Sequence, residues 1–244
     1  MILELDCGNS FIKWRLLCGA QNVAAQGVSG GVEEILAGLE ASSVQVSRCR
    51  LVSVRSELET EEIATSLFNA LGIEVIQARS TERLAGVTNA YPDSSRLGQD
   101  RWLAIVGAYS LCHSACVIVD VGTAVTVDIV ESSGRHLGGY IAPGMSLLRG
   151  QLLSHTRRIR YQAEEQSLAT KDLGPGTTTA EAVERGCMLM LRGYVAGQLA
   201  RAKDCIGENY VTYVTGGDAV LVADLPNVLI VPDLVFEGLA IACP

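Results

Sequence analysis

The sequence predicts an α/β protein made of two duplicated lobes, each a mixed sheet flanked by helices, with a cleft between them. Three observations predict this. Strand and helix patterns alternate along the chain, a D-x-G turn between apolar strands recurs 114 residues later, and 244 residues suffice for two half-size lobes.

Residues 2–6 and 11–17 are rich in Ile, Leu, Phe and Trp and flank the polar turn Cys7-Gly8-Asn9-Ser10, so the chain opens with a hairpin. Residues 33–41 and 59–71 carry apolar positions at helical spacing, while 50–54 and 73–76 are short buried strands. A loop rich in Gly, Asn, Pro, Asp and Ser covers 86–98. A helix then starts at Asp100 and runs through Trp102, Leu103, Val106 and Leu111. Residues 117–130 align without a gap on 3–16: strand, D-x-G, a small polar residue, strand. After them come a third strand near 136–141, a Gly-rich turn, a helix near 145–153 and a long helix from 178 to about 203. Strand 210–215, the turn Gly216-Gly217, a short helix and a last helix from about 234 close the chain. A unit repeated once at this length marks duplicated lobes, since a solenoid needs more and shorter copies. The lobes are expected at 1–112 and 113–244.

Hydrophobic residues make up 48% and charged residues 19% of the chain, which excludes a disordered protein. The net charge of -8 leaves no basic face for a nucleic acid or an anionic membrane, so small molecules are the expected ligands. The start carries Glu4 and Asp6 where a signal peptide needs basic residues, and no apolar run reaches the ~18 residues of a membrane span. A cytoplasmic protein is expected. The eight cysteines are then thiols, mostly small core residues. Cys112-His113-x-x-Cys116 alone resembles a metal cluster, but it lacks a second ligand pair and reads as packing. His113, His136 and His155 are isolated and carry no catalytic role.

Asp6-x-Gly8-Asn9-Ser10 and Asp120-x-Gly122-Thr123-Ala124 suit a polyphosphate. Glycine lets backbone approach, N–H groups and small polar side chains donate to phosphate oxygens, and the aspartate holds a metal ion or its waters. Either copy alone is ordinary hairpin punctuation; two in equivalent places point to a nucleotide gripped from two sides. Lys13 either adds charge near the phosphates or is an exposed strand lysine. Val214-Thr215-Gly216-Gly217 runs a strand into a double glycine where a flat base could approach, an adenosine site or simply a turn. No G-x-x-x-x-G-K-[ST] is present, which argues against a P-loop enzyme.

Taken together, these residues resemble the actin, heat-shock 70 and acetate and sugar kinase superfamily, with its ribonuclease H-like lobes, and within it the type III pantothenate kinases. The resemblance spans essentially the whole chain: D-x-G-N-[TS] at Asp6–Ser10, G-x-D-R at Gly98–Arg101, D-x-G-T-A-x-T at Asp120–Thr126, G-G-x-I-x-P-G at Gly138–Gly144 and T-x-x-A-[VI]-x-x-G at Thr179–Gly186. Ser10 stands where Thr is usual, and 153–161 lacks the expected A-L-P.

The resemblance implies transfer of the γ-phosphoryl of ATP to the primary hydroxyl of pantothenate, giving 4'-phosphopantothenate, the first step of coenzyme A synthesis. It makes Asp100 the general base with Arg101 beside it, and builds the acceptor pocket from Tyr91, Gly98, Gln99, Asp100, Arg101 and Thr179, the last from a neighbouring subunit of a homodimer. It also implies Mg²⁺ with ATP, the Mg²⁺ reached through water from Asp6, and a monovalent cation, K⁺ or NH₄⁺, at Asp120. Read without the family, Asp100 is a helix cap and dipole partner, Arg101 a surface ion-pair residue, Tyr91 a loop aromatic and Thr179 a helix-start hydroxyl. The long helix either builds the dimer contact or is a core helix. Two other outcomes stay open: a kinase for another small hydroxy compound, and a non-catalytic nucleotide-binding regulator on the same fold.

Overall fold

The computed structural model describes residues 1–19, 22–42, 44–170 and 172–244. They form two compact units, Met1–Leu111 with Asp233–Pro244, and Cys112–Pro232.

In the first unit, β1 (Ile2–Cys7), β2 (Ile12–Cys18) and β3 (Asn22–Ser29) form an antiparallel meander, and β4 (Arg48–Ser53) and β5 (Val75–Gln77) add in parallel on the far side of β1. The order is β3-β2-β1-β4-β5. Side chains alternate across a strand. Leu3, Leu5 and Cys7 therefore enter one core with Ile12 and Leu16, beneath α1 (Val32–Ala41) and α2 (Glu57–Leu71). Helix α2 starts on a capping box, with Ser56 accepting from the Glu59 N–H and Glu59 from the Ser56 N–H, and stops at left-handed Gly72.

Glu4 and Asp6 occupy the opposite face. Glu4 lies in register with Arg15 on β2 and Arg50 on β4, and pairs with both while fully buried. Helix α3 (Gln99–Cys112) is buried over nine consecutive residues from Arg101 to Tyr109. Its Gly107 meets α7 (Leu234–Ala242), where a Cβ on Gly238 would lie 2.0 Å from the Leu103 carbonyl oxygen. That close approach explains a correction: the last helix, assigned from chain order to the second lobe, packs with the first unit, on β1 and β4. The small hairpin β6 (Arg83–Leu84) and β7 (Val87–Thr88) leads into the loop before α3.

The second unit repeats the plan. Strands β8 (Cys116–Val121), β9 (Ala124–Val130) and β10 (His136–Pro143) form the meander, and β11 (Val211–Thr215) and β12 (Val228–Ile230) are the parallel additions, in the order β10-β9-β8-β11-β12. Val117, Val119 and Val121 point into the core, as Leu3, Leu5 and Cys7 do in the first unit. Asp120, like Asp6, points the other way. The segment between meander and β11 is much longer here, holding α4 (Met145–His155), α5 (Ala163–Ala169) and α6 (Thr179–Ile206). On α6, Val183, Cys187, Leu191, Val195, Leu199 and Ala202 enter the core. No helix among the described residues is long and apolar enough to cross a membrane.

Candidate active site

Each unit carries one of the two D-x-G turns at the carboxyl end of its first strand, the end at which open α/β sheets bind ligands. In the first unit Asp6 is half-buried at the end of β1, opposite Lys13 across the hairpin. Gly8 follows, and Asn9 and Ser10 are exposed at the tip. The tip is tied down from β4: Val54 N–H donates to the Cys7 carbonyl at 3.1 Å, and Arg55 Nε to the Gly8 carbonyl at 2.9 Å. Sequence reasoning missed Arg55, although it directly follows a recognisable strand.

The start of α3 gathers most of the expected acceptor residues. The Gly98 carbonyl accepts from Trp102 N–H at 2.9 Å, opening the helix. Asp100 therefore sits inside the first turn rather than at the cap. Its Oδ1 accepts from Arg101 N–H at 2.7 Å, and a Cβ on Gly98 would lie 2.8 Å from that oxygen. A carboxylate here is favoured by the positive end of the helix. Arg101 is buried, and its guanidinium donates to Tyr91 Oη at 3.3 Å. Asn89, also missed, holds the loop: its Oδ1 accepts from Tyr91 N–H at 3.0 Å, and its Nδ2 donates to the Thr81 carbonyl at 3.2 Å. A cavity of about 310 Å³ opens beside Tyr91, Pro92, Asp93 and Arg96.

In the second unit three turns converge. Asp120 is in register with Thr126 on β9 and Thr215 on β11, so Gly216 follows directly beside it. Gly216 has φ +97°, and a Cβ there would lie 2.3 Å from the Val121 oxygen and 2.4 Å from Asp120 Oδ1. Asp218 N–H closes the loop on the Val121 carbonyl at 2.9 Å. From the other side comes Gly144, which caps α4. Its N–H donates to the Thr123 carbonyl at 3.0 Å, and a Cβ on it would meet the Gly122 oxygen at 2.0 Å. The N-terminus of α4 is thereby fixed against the Gly122-Thr123 turn. Next to it lies a cavity of about 480 Å³, lined among others by Met145, Ser146, Gln166, Met188 and Asp218. Free helix N–H groups and glycine backbone suit phosphate oxygens. Gly216→Ala should therefore cost about 1–3 kcal/mol in backbone strain alone, read as a melting temperature lower by ~2–4 °C per kcal/mol. An unchanged melting temperature would mean that the loop has another conformation.

Thr179 is the exposed first residue of α6; the cap is Thr178, in a capping box with Glu181. Behind α4, fully buried Glu184 accepts two hydrogen bonds from Arg149 and one, at 2.7 Å, from Tyr161 Oη. The segment that lacks A-L-P thus ends in a buried polar network. Among the described residues no three His, Cys, Asp or Glu side chains gather around a metal position. A single carboxylate such as Asp6 fits an ion held mainly by substrate phosphates and water, the usual manner of Mg²⁺.

The fold has counterparts among solved structures. A Campylobacter jejuni protein described as of the Baf family of transcriptional activators superposes with a TM-score of 0.62 at 20% identity, covering 97% of this chain and 94% of its own. The activator of the 2-hydroxyisocaproyl-CoA dehydratase from Clostridium difficile, solved with bound ADPNP, gives 0.52 at 14% identity, covering 99% and 92%. Fold and paired D-x-G turns define the class: an α/β protein of the actin-like ATPase and sugar-kinase fold. The family model of type III pantothenate kinase matches residues 2–201. The type III pantothenate kinase of Ectopseudomonas mendocina is 54% identical over 246 residues, 100% of this chain and 99% of the relative. The chain belongs to the type III pantothenate kinase family. A kinase of this fold takes ATP with a divalent metal ion.

Proposed function

We propose that the protein transfers the γ-phosphoryl group of ATP to the primary hydroxyl of pantothenate, forming 4'-phosphopantothenate for coenzyme A synthesis, and that Asp100 is the general base. The observation that carries this is the grouping of Gly98, Asp100, Arg101 and Tyr91 at the start of α3 in a chain related to pantothenate kinases over its full length. Phosphoryl transfer asks a protein mainly for positioning and charge neutralisation, plus a group for the hydroxyl proton. Asp100, half-buried at a helix N-terminus, takes that proton as the new P–O bond forms. Arg101, steadied by Tyr91, presents N–H donors to oxygens of the acceptor or of the moving phosphoryl group. Gly98 keeps space open beside the Asp100 carboxylate, and Gln99 completes the acceptor segment.

Gly8, Asn9, Ser10, Lys13, Gly122 and Thr123 are the residues proposed to contact phosphate oxygens. Gly216 and Gly217 admit the adenosine, with the neighbouring cavity as its room. Asp6 holds Mg²⁺ through water and Asp120 a monovalent cation, K⁺ or NH₄⁺; bound there, the ions neutralise phosphate charge. The protein works as a homodimer in the cytoplasm, each site completed by the partner subunit's Thr179. Exposed Leu189 (49%) and Met190 (54%) on α6, flanked by exposed Gly186 and Gly193, supply an apolar helix face that supports the dimer.

ADP release tests the acceptor. With Mg²⁺ and K⁺ present, pantothenate should stimulate release strongly and other small hydroxy acids and sugars little, and omitting K⁺ should depress it. Stimulation by a different alcohol alone would reassign the substrate, and none by any acceptor would remove the kinase reading.

A further inference from the structure

The Cys112-His113-x-x-Cys116 cluster is part of no group of three His, Cys, Asp or Glu side chains around a metal position among the described residues. Cys112 ends α3 and is half-buried; Cys116 begins β8 and is fully buried. Between them His113 takes a left-handed conformation, φ +46°, which folds the chain back on itself. The two thiols lie in hydrogen-bond contact. The third member is Tyr213 on β11, in register with Ile118 and hence on the face of β8 that carries Cys116. Its hydroxyl also bonds to the Cys112 sulfur. As a thiol, Cys112 donates to the Ser114 carbonyl at 3.4 Å.

We propose that Cys112 and Cys116 form a peroxide-responsive dithiol, in which Cys112 is oxidised by a hydroperoxide and Cys116 resolves the product to an intramolecular disulfide. The thiolate is the form that attacks peroxide. Hydrogen bonds from the Cys116 thiol first, and from the Tyr213 hydroxyl, help bring the Cys112 thiol down to about 6 against the opposition of burial. Tyr213, pushed up to about 12 by burial first and then by Cys112, keeps its proton as a donor. The Cys116 thiol is pushed far upward by its bond to Cys112 and by burial, so it remains a thiol. In the first step the Cys112 thiolate takes one peroxide oxygen, the O–O bond breaks, and the released hydroxide gains a proton to become water; Cys112 becomes a sulfenic acid. In the second the Cys116 sulfur attacks the Cys112 sulfur, the S–O bond breaks, and the hydroxyl leaves as water with the Cys116 proton. Two thiols and one peroxide thus give one disulfide and two waters.

Cleavage after Arg and Lys places both cysteines in one peptide, 102–135, with no other cysteine. The full-length protein is treated with hydrogen peroxide, quenched, alkylated, digested and weighed. The peptide should emerge two hydrogens lighter and unalkylated, and return to two alkylated thiols when dithiothreitol precedes alkylation. Exposed Cys18 and Cys205 serve as internal controls and should still be alkylated. In Cys116→Ser, which lacks the resolving thiol, Cys112 should accumulate a dimedone adduct; in Cys112→Ser, Cys116 should stay reduced. Oxidation of Cys18 or Cys205 ahead of this pair, or a peptide still carrying two alkylated thiols, would overturn the proposal. The wild-type mass decides this even if a variant fails to fold.

Discussion

Asp100→Asn should lower turnover with pantothenate by about 10²–10⁴-fold while ATP binding and melting temperature stay near their original values. Asparagine keeps the shape and can still accept from the Arg101 N–H, as Asp100 Oδ1 does at 2.7 Å. What it loses is the ability to take a proton. Loss of the charge at the helix N-terminus costs at most about 0.3–1 kcal/mol of stability in either case, and a role confined to the helix dipole would leave turnover near normal. Turnover therefore separates the two roles, with the melting temperature showing that the fold is kept. Near-normal turnover would remove Asp100 as the base.

Glu4→Ala should destabilise the protein by about 3–5 kcal/mol, the usual result of removing one partner from a buried ion pair. Glu4 has no exposed surface and lies between Arg15 and Arg50, themselves only 6% and 7% exposed. Arg50 donates to its Oε1 at 2.8 Å and Arg15 to its Oε2. Removing the carboxylate leaves two guanidinium groups in the interior. Arg50 would retain no carboxylate partner among the described residues, and Arg15 would keep the part-exposed Glu237 and Asp233 carboxylates at 3.3 and 3.7 Å and the Phe236 ring at 4.9 Å. The damage should reach function, because Asp6 lies two residues along on the same face of β1. Denaturant unfolding gives the number; a loss below about 1 kcal/mol, the scale of an exposed pair, would mean that water reaches the cluster.

The duplicated meanders were legible because each sets a polar D-x-G turn between apolar strands, and a matching pattern 114 residues apart has few other causes. The third strand of the first meander was not. Six of the eight residues of β3 are exposed, and its place comes from pairing with β2, which no local periodicity encodes. The three-residue β12 and exposed α5 escaped for the same reason. The last helix was read but put with the wrong unit, since its site depends on Gly238 meeting α3 across more than a hundred residues of chain. In the candidate site the motif residues were visible, and their supports were not. Arg55 and Asn89 act through contacts with the backbone of other segments, which a pattern search cannot register.

The most direct measurement follows label from ATP carrying a radioactive γ-phosphate, with purified protein, pantothenate, Mg²⁺ and K⁺. The label should move to a product with the mass of 4'-phosphopantothenate, at a rate set by enzyme concentration and nearly abolished in Asp100→Asn. Label released as inorganic phosphate, or retained on ATP, would contradict the assignment.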